Sequence, residues 1–332
     1  MGESIRVAQV GMGAMGRRLT PFLLERPGLE IVAAVDTDAA LEGQDLGLVA
    51  ELNRELGLPV RTSLEAGVAD VAVLTTVSGL RAIGPQLEAL LALGVNVVTS
   101  CEELAYPWET APEWSADIDR KAREAGVSVL GTGVNPGFLM DLLPIAFTAV
   151  CRNVTKITVR RYQDATHRRL PFQRKIGAGL TPEEFEAKRV AGTLRHVGLT
   201  ESMHMIAARL GWKLDRTEDV LAPVIASHPV SSREISVAVG LAAGVQQIGS
   251  GYVGEEERIR LDFRAAIREE DVQDAVEIEG EPQLHAIIPG GVNGDIATCA
   301  ILTNAIPIVQ RAPTGLRTMA DIPPVSWFAQ VG

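Results

Sequence analysis

The sequence predicts an α/β chain, a doubly wound parallel sheet with a second α+β domain. Three observations carry this. The stretch Ile5 to Gly16, IRVAQVGMGAMG, reads as a short strand, then glycines at G-x-G-x-x-G spacing, then the start of a helix. Strand and helix patterns then alternate up to Leu130, the mark of a parallel sheet with crossover helices. Beyond Gly131 to Phe138, GTGVNPGF, the texture changes, and 332 residues are long for one domain. The expected division is 1–138 for the first domain and 139–289 for the second, with 290–332 returning to the first.

In order, Ile5, Val7 and Val10 mark the first strand, and Arg17 to Glu25 reads as a helix. Glu30 to Val35 is the second strand. Leu41 to Leu56 reads as a helix weakened at its start by Gly43 and Gly47. A short strand near Val60 follows, then the buried-type run Asp70 to Thr75. Ile83 to Leu93 is helical, Val95 to Thr99 a strand, Trp114 to Ala125 a helix ended by Gly126, and Ser128 to Leu130 the last strand. In the second domain Val154 to Tyr162 alternates like a strand. Thr181 to Ala191 opens T-P-E-E, a helix start, and Val197 to Leu210 carries an apolar stripe suited to a core. Strands are expected at Glu234 to Val239, Val245 to Ile248, Arg258 to Phe263, Ala275 to Ile278 and Gln283 to Ile288, in a mixed or antiparallel sheet. Asp295 to Ile308 is a closing helix.

The glycines explain the opening stretch. Gly11 permits the tight turn, Gly13 lets backbone approach a pyrophosphate, and Gly16 lets helix pack on strand. Ala14 and Met15, between the glycines, are expected to bind the cofactor with them, and the N-terminus of the following helix offers its N–H groups to the phosphates. Asp36 stands 20 residues after Gly16, where a carboxylate holds the ribose 2′-OH. The expected cofactor is NAD(H), with NADP(H) as an alternative because Arg17 and Arg18 are near in sequence.

Composition narrows the rest. A hydrophobic share of 46% supports full cores, and a net charge of −11 argues against nucleic acid. No apolar run is long enough to span a membrane, and MGESIRV enters a strand directly, so neither membrane nor signal peptide is expected. Cys101, Cys151 and Cys299 are far apart, as befits a reducing cytoplasm. Residues 151–200 carry 11 Lys and Arg against 4 Asp and Glu, a local +7 that leaves −18 elsewhere. Ion pairs to those acidic segments explain this, or a basic wall for an anion does.

In open α/β sheets ligands bind beyond the carboxyl ends of the strands. The loop after Val95 to Thr99 carries Cys101, Glu102 and Glu103, followed by Tyr106, Pro107 and Trp108. A carboxylate among aromatics and away from bulk water is suited to general acid–base work. Glu102 and Glu103 are the catalytic candidates, Glu102 first; the alternative is a pair that caps a turn. Cys101 is expected as a small buried residue at this cofactor end, where Thr76 also falls. Asn135 bonds the nicotinamide amide or holds its turn. Arg161, His167, Arg168 and Arg169 face a substrate or a neighbouring subunit, and His196 offers a substrate hydrogen bond. Phe138, Met140, Phe147, Tyr162 and Phe172 are possible pocket walls. Glu201 and His204 have metal-ligand spacing but no further ligands, so no metal is expected.

The strings GMGAMG, TSCEELAYP, GTGVNPGF, RKIGAGLTPEEF, GGVNGDIAT and PTGLRTMADIP stand together here. Through them the chain resembles the 2,4-diaminopentanoate dehydrogenases and the related NAD(P)H-dependent amine dehydrogenases, within the wider dihydrodipicolinate reductase-like superfamily. The resemblance runs from about Arg6 to Pro324. It implies a Rossmann domain, a second domain that builds the substrate pocket and a homodimer interface, and a catalytic glutamate. That glutamate falls on the C-E-E tip; Glu102 matches best and Glu103 is one residue along. The implied reaction is reversible reductive amination of a small carbonyl compound with ammonia. Small ketones or aldehydes are the expected substrates and 2,4-diaminopentanoate the alternative. A reductase of the same fold would need a lysine after this strand, or a His-rich substrate loop, and neither is present. A non-catalytic NAD(P)-sensing protein is the other rival.

Overall fold

The structure, a computed structural model, describes residues 4–168, 170–194 and 197–330. They form two compact units, 1–138 with 293–332 and 139–292.

The first unit opens with β1 (Ile5–Val10), α1 (Ala14–Leu24) and β2 (Leu29–Val35). The segment expected as a helix from Leu41 to Leu56 is a correction. It holds a 3-10 turn, Ala39–Leu41, and a single helical turn, α2 (Leu46–Val49). The Asp45 carboxylate is the physical reason. It accepts from the N–H groups of Gly47, Leu56 and Leu58, which folds the chain back as a loop. Gly47 lies so close to Arg54 O that a Cβ there would sit 2.1 Å from it.

The chain continues through β3 (Val60–Arg61), β4 (Val71–Leu74), α3 (Leu80–Ala92), β5 (Asn96–Thr99), α4 (Pro112–Glu124) and β6 (Ser128–Gly131). These strands form one parallel sheet, order β6-β5-β4-β1-β2-β3, with a later short strand at the β6 edge. Consecutive strands step outward in both directions from β1 and β4, the doubly wound order. Leu74, Ile83, Leu87, Val97, Ile118 and Val129 form the core on one side, and Met12, Leu46, Val49 and Val60 a smaller cluster near the glycine turn.

The second unit starts with α5 (Leu142–Phe147) and β7 (Asn153–Asp164). It continues with α6 (Leu170–Lys175), α7 (Pro182–Val190) and α8 (Leu199–Leu210). Thr181 and Glu184 make a full capping box at the start of α7. Then come β8 (Arg216–Ile225), β9 (Val230–Ser231), β10 (Ser236–Val237), β11 (Ala242–Val253), β12 (Glu256–Ala266), β13 (Gln273–Glu281) and β14 (Leu284–Pro289). The six-stranded sheet has order β14-β13-β7-β12-β11-β8; only β7 and β12 run parallel.

Two strand expectations change here. Glu234 to Val239 keeps a strand only at Ser236–Val237, because Ser232 Oγ accepts from the N–H groups of Glu234 and Ile235 and bends the chain before it. Only β9 and β10 pair there. The long β8 carries no clean alternation in sequence and contains Pro223, which an edge strand tolerates.

The chain returns to the first unit with α9 (Gly294–Arg311) and β15 (Gly315–Arg317), the strand beside β6. Asn293 Oδ1 caps α9 by accepting from the N–H groups of Asp295 and Ile296. Among the described residues no helix is long and apolar enough to cross a membrane.

Candidate active site

The glycine turn shows what its ligand must be. Gly11 has φ +95, a conformation that favours glycine. A Cβ on Gly16 would sit 1.8 Å from Gly11 O, so only glycine lets α1 start so close to β1. Gly13 differs. Its φ of −68 suits any residue, and a Cβ there would meet no protein atom within 4 Å. The fold does not require this glycine, and the room it leaves faces outward. Gly13 is also the N-cap of α1 and offers no side-chain cap, so the first N–H groups of that helix are open to an anion. Buried Gln9 braces the turn from beneath, donating to Gly16 O at 2.7 Å and accepting from Thr20 Oγ1. At the end of β2, Asp36 accepts from the N–H groups of Met12 and Asp38. A pyrophosphate on the open amides with its ribose at Asp36 fits this arrangement.

Beside the turn, at the carboxyl ends of β4, β5 and β6, lies a cavity of about 220 Å³. Met15, Thr76, Glu102 and Asn135 line it, each a residue singled out from sequence. Most of the remaining wall is hydroxyl-bearing: Thr75, Ser78, Ser100, Thr132 and Thr298. The buried Thr132 hydroxyl finds no hydrogen-bond partner among the described residues. Such a group commonly awaits a ligand or a water. Thr298 comes from α9, and its Oγ1 accepts from Val134 N–H at 3.3 Å.

The two glutamates separate. Glu102 lines the cavity. Glu103 Oε2 accepts from Leu80 N–H at 2.8 Å, and Glu103 N–H donates to Ser78 O at 3.1 Å. Glu103 thereby caps α3, whose own N-cap, Gly79, has no side chain to offer. Cys101 does not line the cavity. It is 1% exposed, and burial pushes its thiol up to about 12, so it is no thiolate at neutral pH.

The substrate candidates of the second unit have partners of their own. Arg161 is 2% exposed and pairs with Asp274 Oδ1 at 3.0 Å, and its other arm donates to Val292 O. Its guanidinium is therefore committed within the unit. Tyr162 donates to Asp262 at 2.8 Å; burial and that carboxylate push its hydroxyl up to about 12. Arg168 stacks over the Phe172 ring at 4.1 Å. Arg152, Lys156 and Arg160 pair with Glu281, Glu257 and Glu277, so much of the basic segment meets acids of β12 and β13. Phe138 is half-buried, the last residue of the first unit before the crossing. His196 and Arg169 lie outside the described residues. Among the described residues no group of three or more His, Cys, Asp or Glu could hold a metal ion.

The 2,4-diaminopentanoate dehydrogenase C-terminal domain matches residues 138–331, more than half of the chain. The chain belongs to the 2,4-diaminopentanoate dehydrogenase family. The N-terminal domain of dihydrodipicolinate reductase matches residues 5–101. The 2,4-diaminopentanoate dehydrogenase of Acetoanaerobium sticklandii is 35% identical, over 97% of this chain and 94% of that one. An amine dehydrogenase of Streptomyces virginiae is 24% identical, over 94% of each. The solved amine dehydrogenase of Mycobacterium smegmatis superposes with a TM-score of 0.85 at 27% identity, over 98% of each chain.

Sequence reasoning missed most of the hydroxyl wall of this family member. Thr75 and Ser78 leave β4 in the string T-T-V-S, a signal that was available. Thr298 carried none, since its place depends on how α9 packs.

Proposed function

We propose that this chain is an NAD(P)H-dependent amine dehydrogenase, an oxidoreductase acting on CH–NH2 groups. It oxidises a small primary amine, and in reverse aminates a small ketone or aldehyde with ammonia. The carrying observation is Glu102, a carboxylate on the wall of a hydroxyl-lined cavity beside an open, uncapped helix N-terminus. The nicotinamide dinucleotide supplies the hydride chemistry when bound. The glycine turn would hold the pyrophosphate of that cofactor and Asp36 its ribose, and Asn135 and the hydroxyls would offer hydrogen bonds to the ring amide. In amination ammonia condenses with the carbonyl carbon, the oxygen leaves as water, and the resulting iminium carbon accepts hydride. Glu102 orients ammonia, takes and returns protons, and stabilises the iminium by charge.

The second reading, 2,4-diaminopentanoate as substrate, is favoured by the 35% identity to an enzyme of that name. It requires a cation fork for the substrate carboxylate. The commitment of Arg161 to Asp274 supports the simpler substrate. Direct competition decides: 2,4-diaminopentanoate and cyclohexylamine are oxidised under the same conditions. We expect the simple amine to be the better substrate. A kcat/KM about 100-fold higher for the amino acid, roughly 2.7 kcal/mol of transition-state preference, reverses the assignment. Cofactor binding without turnover of any amine or carbonyl leaves the sensing protein.

The proposed working state is a cytoplasmic homodimer built mainly by the second unit, in keeping with the frequency of two-fold assemblies. Light scattering should give twice the 35.4 kDa chain mass. A monomer at every concentration refutes the dimer.

A further inference from the structure

Asp36 and Arg17 grip one residue from opposite ends. Asp36 accepts from Met12 N–H, and Arg17 Nε donates to Met12 O at 2.9 Å. The two side chains are thus held at one corner of the glycine turn. A carboxylate suits a ribose 2′-OH at that corner, whereas an arginine suits a 2′-phosphate. This corner presents both.

Arg17 is restrained. Its Nη1 lies 3.4 Å from Glu51 Oε1, with the side chains 41% and 78% exposed. Glu51 follows α2 at φ 60, a conformation that costs a non-glycine residue energy. Asp36 shares Met12 with Arg17, and Glu51 pairs with Arg17. Arg18 pairs with Asp295 at 3.3 Å, and Arg61 with Glu42 at 3.7 Å. Neither bonds Met12.

We propose that Arg17 and Glu51, together with Asp36, determine selectivity for the dinucleotide 2′ position. Arg17 is the latent 2′-phosphate ligand, and Glu51 holds it in check by pairing with it. This rests on the reading that a dinucleotide binds at the glycine turn. Removing Glu51 frees the guanidinium and relieves repulsion of the phosphate; removing Arg17 takes away the ligand.

Titration calorimetry with ADP and 2′,5′-ADP tests this without turnover. The parent should bind ADP more tightly. Glu51→Gln, at a site 78% exposed, should tighten 2′,5′-ADP by ~3-fold and leave ADP unchanged. That gain should shrink in high salt. Arg17→Met should weaken 2′,5′-ADP by ~10-fold relative to ADP. The NADPH to NADH ratio of kcat/KM should move the same way. A ratio of the two nucleotide affinities unchanged by both substitutions overturns the proposal and leaves the dinucleotide reading intact. A parent that binds neither nucleotide overturns both. If Arg17→Met also loosens ADP, Glu51→Gln decides alone.

Discussion

Glu102 and Glu103 are adjacent in the chain and have different partners. Glu102 lines the cavity, while Glu103 turns back to cap α3 through Leu80 N–H. The two roles respond differently to one substitution. Glu102→Gln keeps the size and removes the charge and the proton acceptor, so turnover should fall by ~100-fold or more while cofactor still binds. Glu103→Gln keeps an amide oxygen that still accepts from Leu80 N–H, so turnover should stay within several-fold of the parent. Steady-state rates and a nucleotide titration on each variant check this. The reverse ranking moves the catalytic role one residue along, and near-normal rates in both discard it.

At the scale of elements, the turn from β1 into α1 separates glycines the fold needs from one it does not. Gly16→Ala drives a methyl group into Gly11 O, where 1.8 Å leaves no room, so the turn must distort. A loss of about 2–4 kcal/mol is expected, a size that over-packing and backbone strain reach. Gly13→Ala meets no protein atom and an ordinary φ, so the thermal midpoint should hold while cofactor affinity falls. Thermal melts beside nucleotide titrations separate the two. Equal melting losses in both variants refute the distinction. Elsewhere the apolar pattern from Leu41 to Leu56 reads as one helix weakened at its start by Gly43 and Gly47, and the structure has only a single helical turn there. Asp45, by collecting three backbone N–H groups, offered the chain a competing local structure.

Across the whole molecule, acid pH should act through carboxylates of opposite character. Burial pushes the Asp70 carboxyl up, but hydrogen bonds from the Arg6 side chain and backbone outweigh it, leaving the group below its usual range. The Arg160 hydrogen bond likewise holds Glu277 low. For Glu257 burial is outweighed by the bonds from Lys156 and Ser250, again a lowering. Groups lowered on folding stabilise above the unfolded carboxylate range, and that stability is lost as pH falls through their folded values. Asp274 is opposite: burial raises it in spite of Arg161, so its ionised form costs stability as pH rises through its folded value. Among the described residues the lowered carboxylates, which also include Asp45, Asp117, Glu183 and Glu186, outnumber the raised Asp274, so the thermal midpoint should drop below about pH 4. Asp70→Asn should make that drop shallower. An unchanged acid profile in this variant refutes the contribution of Asp70.

The doubly wound first unit and its glycine turn are legible in the sequence, since strand–glycine–helix order is a local property set by φ freedom and apolar period. The family is legible too, through strings spread from the glycine turn to the C-terminal segment, and so is the C-E-E tip. What depends on partners distant in sequence is visible only in the folded chain. Glu103 is separated from Glu102 by the N–H of Leu80, 23 positions earlier. Arg161, read from sequence as a substrate arginine, is a buried partner of Asp274, 113 positions later. Thr298 reaches the cavity wall only because α9 returns to the first unit. Polar side chains carry no period that reveals their partners, and only packing settles whether a charge meets a ligand or another residue.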